Sequence, residues 1–147
     1  MLAQIFTDGA TVGHNKLGKT KEIGIGIYCA NPQINIAEKY SGKSNNEAEF
    51  KALIRAMEKA IKLNLKDVHF FSDSKIIVNR AATSLNLLGS PYYRPRGKRR
   101  NIRMDRFQDQ VIELRLQFNT VKFYWIPREQ NEKADELSKI ATKKGGV

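Results

Sequence analysis

The period of apolar and polar positions changes several times along the chain, and each change predicts an element. Leu2 to Ala10 is rich in apolar and β-favouring residues, with Ile5 beside Gln4 and Phe6 beside Thr7, and breaks at Gly9. It predicts a strand that delivers Asp8 to its far end. Thr11 to Lys21 reads as a loop. Ile23 to Cys29 and Ile34 to Tyr40 alternate with period two around a turn at Asn31-Pro32, which predicts two more strands and an antiparallel meander. Ser44-Asn45-Asn46-Glu47 carries a capping-box signature. The apolar positions that follow (Phe50, Leu53, Ile54, Met57, Ala60, Ile61) have helical spacing, and Asn64 is a stop. Asp67 to Ser72 predicts a buried strand with Asp73 at its C-terminal end, and Ser74 caps a helix from about Lys75 to Thr83.

Ser84 to Arg100 reads as irregular, with two glycines and two prolines. Periodicity returns at Met104, Phe107, Val111, Leu114 and Phe118, which form the seam of another helix. Thr120 to Ile126 predicts the fifth strand, ended by Pro127, with Trp125 packed at its end. Asn131 is the expected cap of a last helix carrying Ala134, Leu137, Ile140 and Ala141. The order β-β-β-α-β-α-α-β-α implies an α/β fold. Its sheet is five-stranded and mixed, three antiparallel strands then two parallel, with helices on both faces. A chain of 147 residues suits one domain. It is read as 1–142 with a basic insertion at about 90–103, followed by a flexible tail, 143–147.

Charge narrows the partner. The net charge is +11, which favours a polyanion, nucleic acid before an acidic membrane. From Arg94 to Arg106 there are seven basic residues and one acid, +6 within thirteen residues. No apolar run approaches the length of a membrane span, and no basic-then-apolar leader is present, so a cytoplasmic setting is the expectation. The single cysteine, Cys29, excludes an internal disulfide and a cysteine-rich zinc site. It is expected to be a small buried hydrophobe.

The candidate chemistry lies in acids. Asp8 and Asp73 are both predicted at strand ends, each followed by a small residue. Glu49 precedes the apolar Phe50 on the first helix, and Asp135 lies in the first turns of the last. Several carboxylates in one place are tolerable when hard cations such as magnesium fill the gap. Two such ions can activate a water and stabilise the leaving oxygen in phosphodiester cleavage. Glu47 and Glu49 compete for the second position, and the capping box gives Glu47 a structural task. Asp67, Asp105 and Asp109 read as surface or helix-start acids, His69 as a structural strand residue, and His14 as a loop residue.

Four fragments, in this order, carry a resemblance: Phe6-Thr7-Asp8-Gly9, Ser44-Asn45-Asn46-Glu47-Ala48-Glu49, Ser72-Asp73-Ser74, and Asn131-Glu132-Lys133-Ala134-Asp135-Glu136-Leu137. The chain resembles a type 1 ribonuclease H along nearly its whole length. The resemblance implies the ribonuclease H-like fold and cleavage of the RNA strand of an RNA–DNA hybrid by a monomeric, two-metal-ion endoribonuclease. It implies Asp8, Glu49, Asp73 and Asp135 as metal-binding and catalytic residues, with two Mg2+ ions per site and Mn2+ as a substitute. It implies strand contacts at Asn45 and Asn46, and a phosphate or minor-groove contact at Asn15 or His14.

Gly9 and Ala10 offer backbone groups suited to reading 2′-hydroxyls, which only the RNA strand has. Ser74 and Lys75 are candidate substrate contacts at the mouth of the site, a solvated Lys75 being the equal alternative. Arg96, Lys98, Arg99 and Arg100 lie where some relatives carry a basic protrusion, and Tyr92 and Tyr93 are placed to stack or pack beside them. The link Pro127-Arg128-Glu129-Gln130 is short and lacks the histidine loop of many relatives. That departure is similar to the archaeal-like branch, and makes Arg128 a candidate auxiliary. The competing readings are another nuclease or strand-transfer enzyme of the same fold, a non-catalytic hybrid-binding module, and a domain cut from a reverse transcriptase.

Overall fold

The computed structural model describes residues 1–12, 21–83 and 102–143. Strands β1 (Leu2–Val12), β2 (Lys21–Cys29) and β3 (Ile34–Gly42) form the meander. Helix α1 (Asn45–Lys62), strand β4 (Asp67–Ser72) and helices α2 (Lys75–Ala81) and α3 (Ile102–Arg115) follow. Strand β5 (Thr120–Trp125), a single 3-10 turn (Arg128–Gln130) and helix α4 (Glu132–Lys143) complete the described chain. The sheet order is β3-β2-β1-β4-β5. β1 and β3 run antiparallel to β2, whereas β4 is parallel to both β1 and β5. The five-stranded mixed sheet is the one expected.

Local chemistry accounts for the ends of α1. The Ser44 hydroxyl accepts the Glu47 N–H at 3.2 Å, while Glu47 Oε2 accepts from Lys43 N, one residue earlier than a regular capping box. At the other end Asn64 has φ 60°. Leu65 N–H reaches the Ala60 carbonyl and Asn64 N–H the Ile61 carbonyl, so the helix closes in a Schellman motif. Between them Phe50, Leu53, Met57 and Ala60 pack on Ala3, Ile5, Ile25, Ile27, Val68 and Phe70 to form the core. Cys29 lies buried among them.

The two faces of the sheet carry different helices. A side chain at Gly9 would strike the backbone of Ala48 and Glu49 in α1, while one at Gly26 would strike the Ala134 carbonyl of α4. Asp8 is paired with Gly26 across the sheet, so it belongs to the α4 face. α3 packs on α1, with Phe107 stacked 6.0 Å from Phe50.

Several expectations are corrected. β1 does not stop at Gly9: its pairing with β2 continues to Val12. Its pairing with β4 ends at Phe6 and Phe71. Asp8 is therefore beyond the end of β4, although not at the end of its own strand. Ile102 and Arg103, counted at the end of the basic insertion at about 90–103, belong to α3, which begins before the apolar seam at Met104. Lys143 belongs to α4 and not to the tail. Trp125 is 44% exposed and not core. Asp105 is the helix-start acid of the two readings, in the first turn of α3, but it is buried against Arg80 (3.2 Å) rather than on the surface. His14, Asn15, Tyr92, Tyr93, Arg94, Arg96, Lys98, Arg99, Arg100 and residues 144–147 lie outside the described residues.

Candidate active site

An open cleft of about 730 Å³ lies at the end of β4. Four elements bring acids into it. Asp8 comes from β1 beyond its last pairing with β4, Asp73 follows the end of β4, and Glu49 reaches in from the first turns of α1. The early end of β4 leaves a notch beside β1 through which acids from different layers can meet. One carboxylate oxygen from each of Asp8, Glu49 and Asp73 lies within 4.8 Å of the others. Asp135, from α4, lines the same cleft.

Each acid has its own support. Glu49 Oε1 accepts the Gly9 N–H at 3.0 Å, a contact that requires the close β1–α1 approach allowed at Gly9. The Ser138 hydroxyl donates to the Asp135 carbonyl at 2.8 Å and lies 3.4 Å from Asp8 Oδ2. The Asp73 carbonyl accepts the Trp125 indole N–H at 3.1 Å, and the Lys75 ammonium sits 4.7 Å from that indole's centre. Asp135 is paired with Lys139 at 3.0 Å and lies 3.8 Å from Arg128.

Electrostatics separates these carboxylates. Burial, then the charge of Asp73 and contact with Asp135, raise the Asp8 pKa to about 7. Burial and the charges of Asp8 and Asp73 push Glu49 well above the ordinary range. Burial also works to raise Asp135, but the bond from Lys139 and the charges of Lys139 and Arg128 outweigh it and hold Asp135 low. Three crowded acids, two of them reluctant to ionise, form an all-oxygen donor set whose repulsion a hard divalent cation would relieve. The donor set fits such an ion.

The remaining predicted residues are distributed unevenly. Gly9, Ala10, Asn45 and Arg128 line the cleft. Asn45 Oδ1 accepts from the Thr11 hydroxyl. Asn46 is exposed and does not line the cleft. Ser74 is occupied as the α2 cap, accepting the Ile77 N–H at 3.3 Å. Lys75 is exposed against Trp125. Glu47 is turned away from the cleft, bound to Arg103 at 2.6 and 2.8 Å. Sequence reasoning missed Lys139, although its i,i+4 spacing from Asp135 was a readable signal. It also missed Thr11 and Ser138, which carry no local signal of their own.

A family model described as RNase H matches residues 2–143. The chain belongs to the RNase H family. Among curated proteins it is similar to the EbsB protein of Enterococcus faecalis, 34% identical over 103 residues, covering 69% of this chain and 67% of that protein. Other curated relatives are longer, and the chain spans about a quarter of them. Among solved structures, RNase H1 of the halophilic archaeon Halobacterium salinarum superposes with a TM-score of 0.72 at 20% identity, covering 98% of this chain and 99% of that one. LC11-RNase H1, isolated from compost and solved in complex with an RNA/DNA hybrid, superposes at 0.68 and 25% identity, covering 99% of both chains. These RNase H folds share the architecture that brings β1, β4, α1 and α4 to one cleft here.

Proposed function

We propose that this protein is an endoribonuclease that hydrolyses the RNA strand of an RNA–DNA hybrid. The observation that carries the reading is the meeting of Asp8, Glu49 and Asp73 oxygens within 4.8 Å at an open cleft. Membership of the RNase H family supports it, as does the likeness to an RNase H1 solved with a hybrid.

In this reading Asp8, Glu49, Asp73 and Asp135 hold two divalent cations, Mg2+ first and Mn2+ as a substitute. When bound, such ions make a nucleophile from water accessible at neutral pH and stabilise the departing oxygen. The chain's own residues supply position. Gly9 N–H fixes Glu49, and Lys139, 3.0 Å from Asp135, helps hold that carboxyl below its ordinary range. Gly9, Ala10 and Asn45 present backbone and amide groups to the minor groove, where 2′-hydroxyls distinguish RNA from DNA. Arg128 sits beside Asp135 in the place of an auxiliary. Lys75 and the basic residues Arg96, Lys98, Arg99 and Arg100 supply phosphate contacts that add affinity without choosing a strand. Residues 1–142 act as one catalytic domain, and a monomer in the cytoplasm is the setting assumed.

The test is cleavage of a strand-labelled hybrid with Mg2+, with Mn2+ and with EDTA, for the wild type and Asp73→Asn. Single-stranded RNA, duplex RNA and duplex DNA run beside it. Metal-dependent cutting of the hybrid's RNA strand alone, absent in the variant, is expected. Tight hybrid binding without cutting under either metal would replace the enzyme by a binding module. Cutting of DNA would point to a strand-transfer relative of the fold.

A further inference from the structure

Asn131 was expected to cap α4, yet its side chain makes no such bond. It is 1% exposed. Its Nδ2 donates to the Thr7 carbonyl at 2.9 Å and to Asp73 Oδ2 at 3.3 Å. Its Oδ1 is buried with no hydrogen-bond partner among the described residues. Turning the amide over would set Oδ1 against a carbonyl and a carboxylate, both acceptors, so chemistry fixes the nitrogen toward Asp73. An amide that leaves its own acceptor unpaired to keep two donor bonds is held there for the donors.

The backbone of the same residue ties in a third element. Asn131 N–H closes the 3-10 turn on the Arg128 carbonyl, and its carbonyl accepts the Asp135 N–H at 3.0 Å, in the first turn of α4. One buried residue thus holds the carbonyl preceding Asp8, the carboxylate of Asp73 and the backbone nitrogen of Asp135.

We infer that Asn131 is a positioning residue: its amide holds Asp73 Oδ2 and sets the spacing of the acids that receive the cation. The inference rests on the reading of the cleft as a divalent-cation site. A residue serving only to join β1 to α4 would stabilise the fold without changing how folded protein binds an ion. A residue that orients a ligand carboxylate changes ion affinity directly, by roughly 10- to 100-fold.

The experiment separates these. Mn2+ binding in the absence of nucleic acid is measured by calorimetry on the wild type and on Asn131→Ala, with folding checked by circular dichroism and hybrid affinity measured in EDTA. The expected result is Mn2+ binding weakened roughly 10- to 100-fold in folded Asn131→Ala with hybrid affinity in EDTA retained. Equal Mn2+ affinity in the two proteins overturns the positioning role and leaves the metal site standing. A wild type that binds no Mn2+ removes the metal site and the inference with it. A second measurement needs no variant. In the wild type, the Asn131 side-chain amide should show a slowly exchanging hydrogen and should shift on Mg2+ titration. Amide signals that ignore the ion overturn the proposal.

Discussion

Two glutamates stand two residues apart on the first turns of α1 and meet opposite surroundings. Glu47 points toward α3. It is 1% exposed, yet its carboxylate accepts from Lys43 N–H and twice from Arg103. Burial opposes its charge, but those donors outweigh burial and hold its pKa below the ordinary glutamate value of 4.5. Glu49 points toward β1, has one backbone donor, and faces Asp8 and Asp73. Its pKa moves the other way. Around Glu47 the fold supplies partners and gains stability from the charge. Around Glu49 it supplies more acids and keeps the repulsion, which costs stability and leaves room for a cation.

Removing one charge from each region should break this contrast in opposite senses. The largest effect is expected for Glu49→Gln. Cleavage should fall by on the order of 10²- to 10³-fold, while the metal-free melting temperature stays level or rises because a repelling charge is gone. Mg2+ should raise the melting temperature of the wild type and not that of this variant. Glu47→Gln should do the reverse, lowering stability by about 2 kcal/mol with cleavage retained at temperatures where the protein is folded. Urea unfolding and a hybrid-cleavage assay on the same preparations check both.

The pH dependence sharpens the comparison further. Burial and the neighbouring acids raise the folded pKa of Asp8 to about 7, above the ordinary aspartate value of 3.8. Its contribution to stability is complete below about pH 4 and is lost as pH rises through 7. Glu47 has a lowered folded pKa, so its contribution is present above pH 4.5 and is lost as pH falls below that. In EDTA, Asp8→Asn should flatten the stability profile between pH 4 and 7, and Glu47→Gln should flatten it only on the acid side. Denaturant midpoints across that range test the two windows. The smallest effect is expected for Arg128→Ala, a side chain 75% exposed and 3.8 Å from Asp135. A fall in turnover of a few-fold, with substrate affinity little changed, is its expected signature, and unchanged turnover would remove Arg128 from the machinery.

Much of this was readable in sequence because it is local. The boundaries of β4, the Ser44 cap and the Asn64 stop depend on residues within a few positions of each other, and the structure returns them almost unchanged. The acids were readable as a set because each was expected near the start or end of an element, although Asp8 lies inside β1. What escaped depends on partners far apart in the chain. Arg103 was counted with a basic segment, but it spends its charge on Glu47, 56 positions away. Asn131 has the composition of a cap, but its amide is taken by Thr7 and Asp73, 124 and 58 positions away. Trp125 reads as a core residue by type, yet β5 is a sheet edge and its indole is used on the Asp73 backbone. The continuation of β1 to Val12 was hidden because Gly9 reads as a stop, whereas here it is the point of close contact with α1.

The seat of α4 on Gly26 has a bearing on how this protein can change. The helix rests on the backbone beside Asp8, with the Ala134 carbonyl filling the place where a side chain would stand. No side chain acts as a spacer, so there is no series of slightly larger or smaller residues through which the helix could be shimmed. A library at position 26 should therefore split into folded glycine clones and failures, without a graded middle. Gradual adaptation of the cleft is left to its rim, where Ala10, Thr11, Asn45 and Arg128 can vary without lifting the helix.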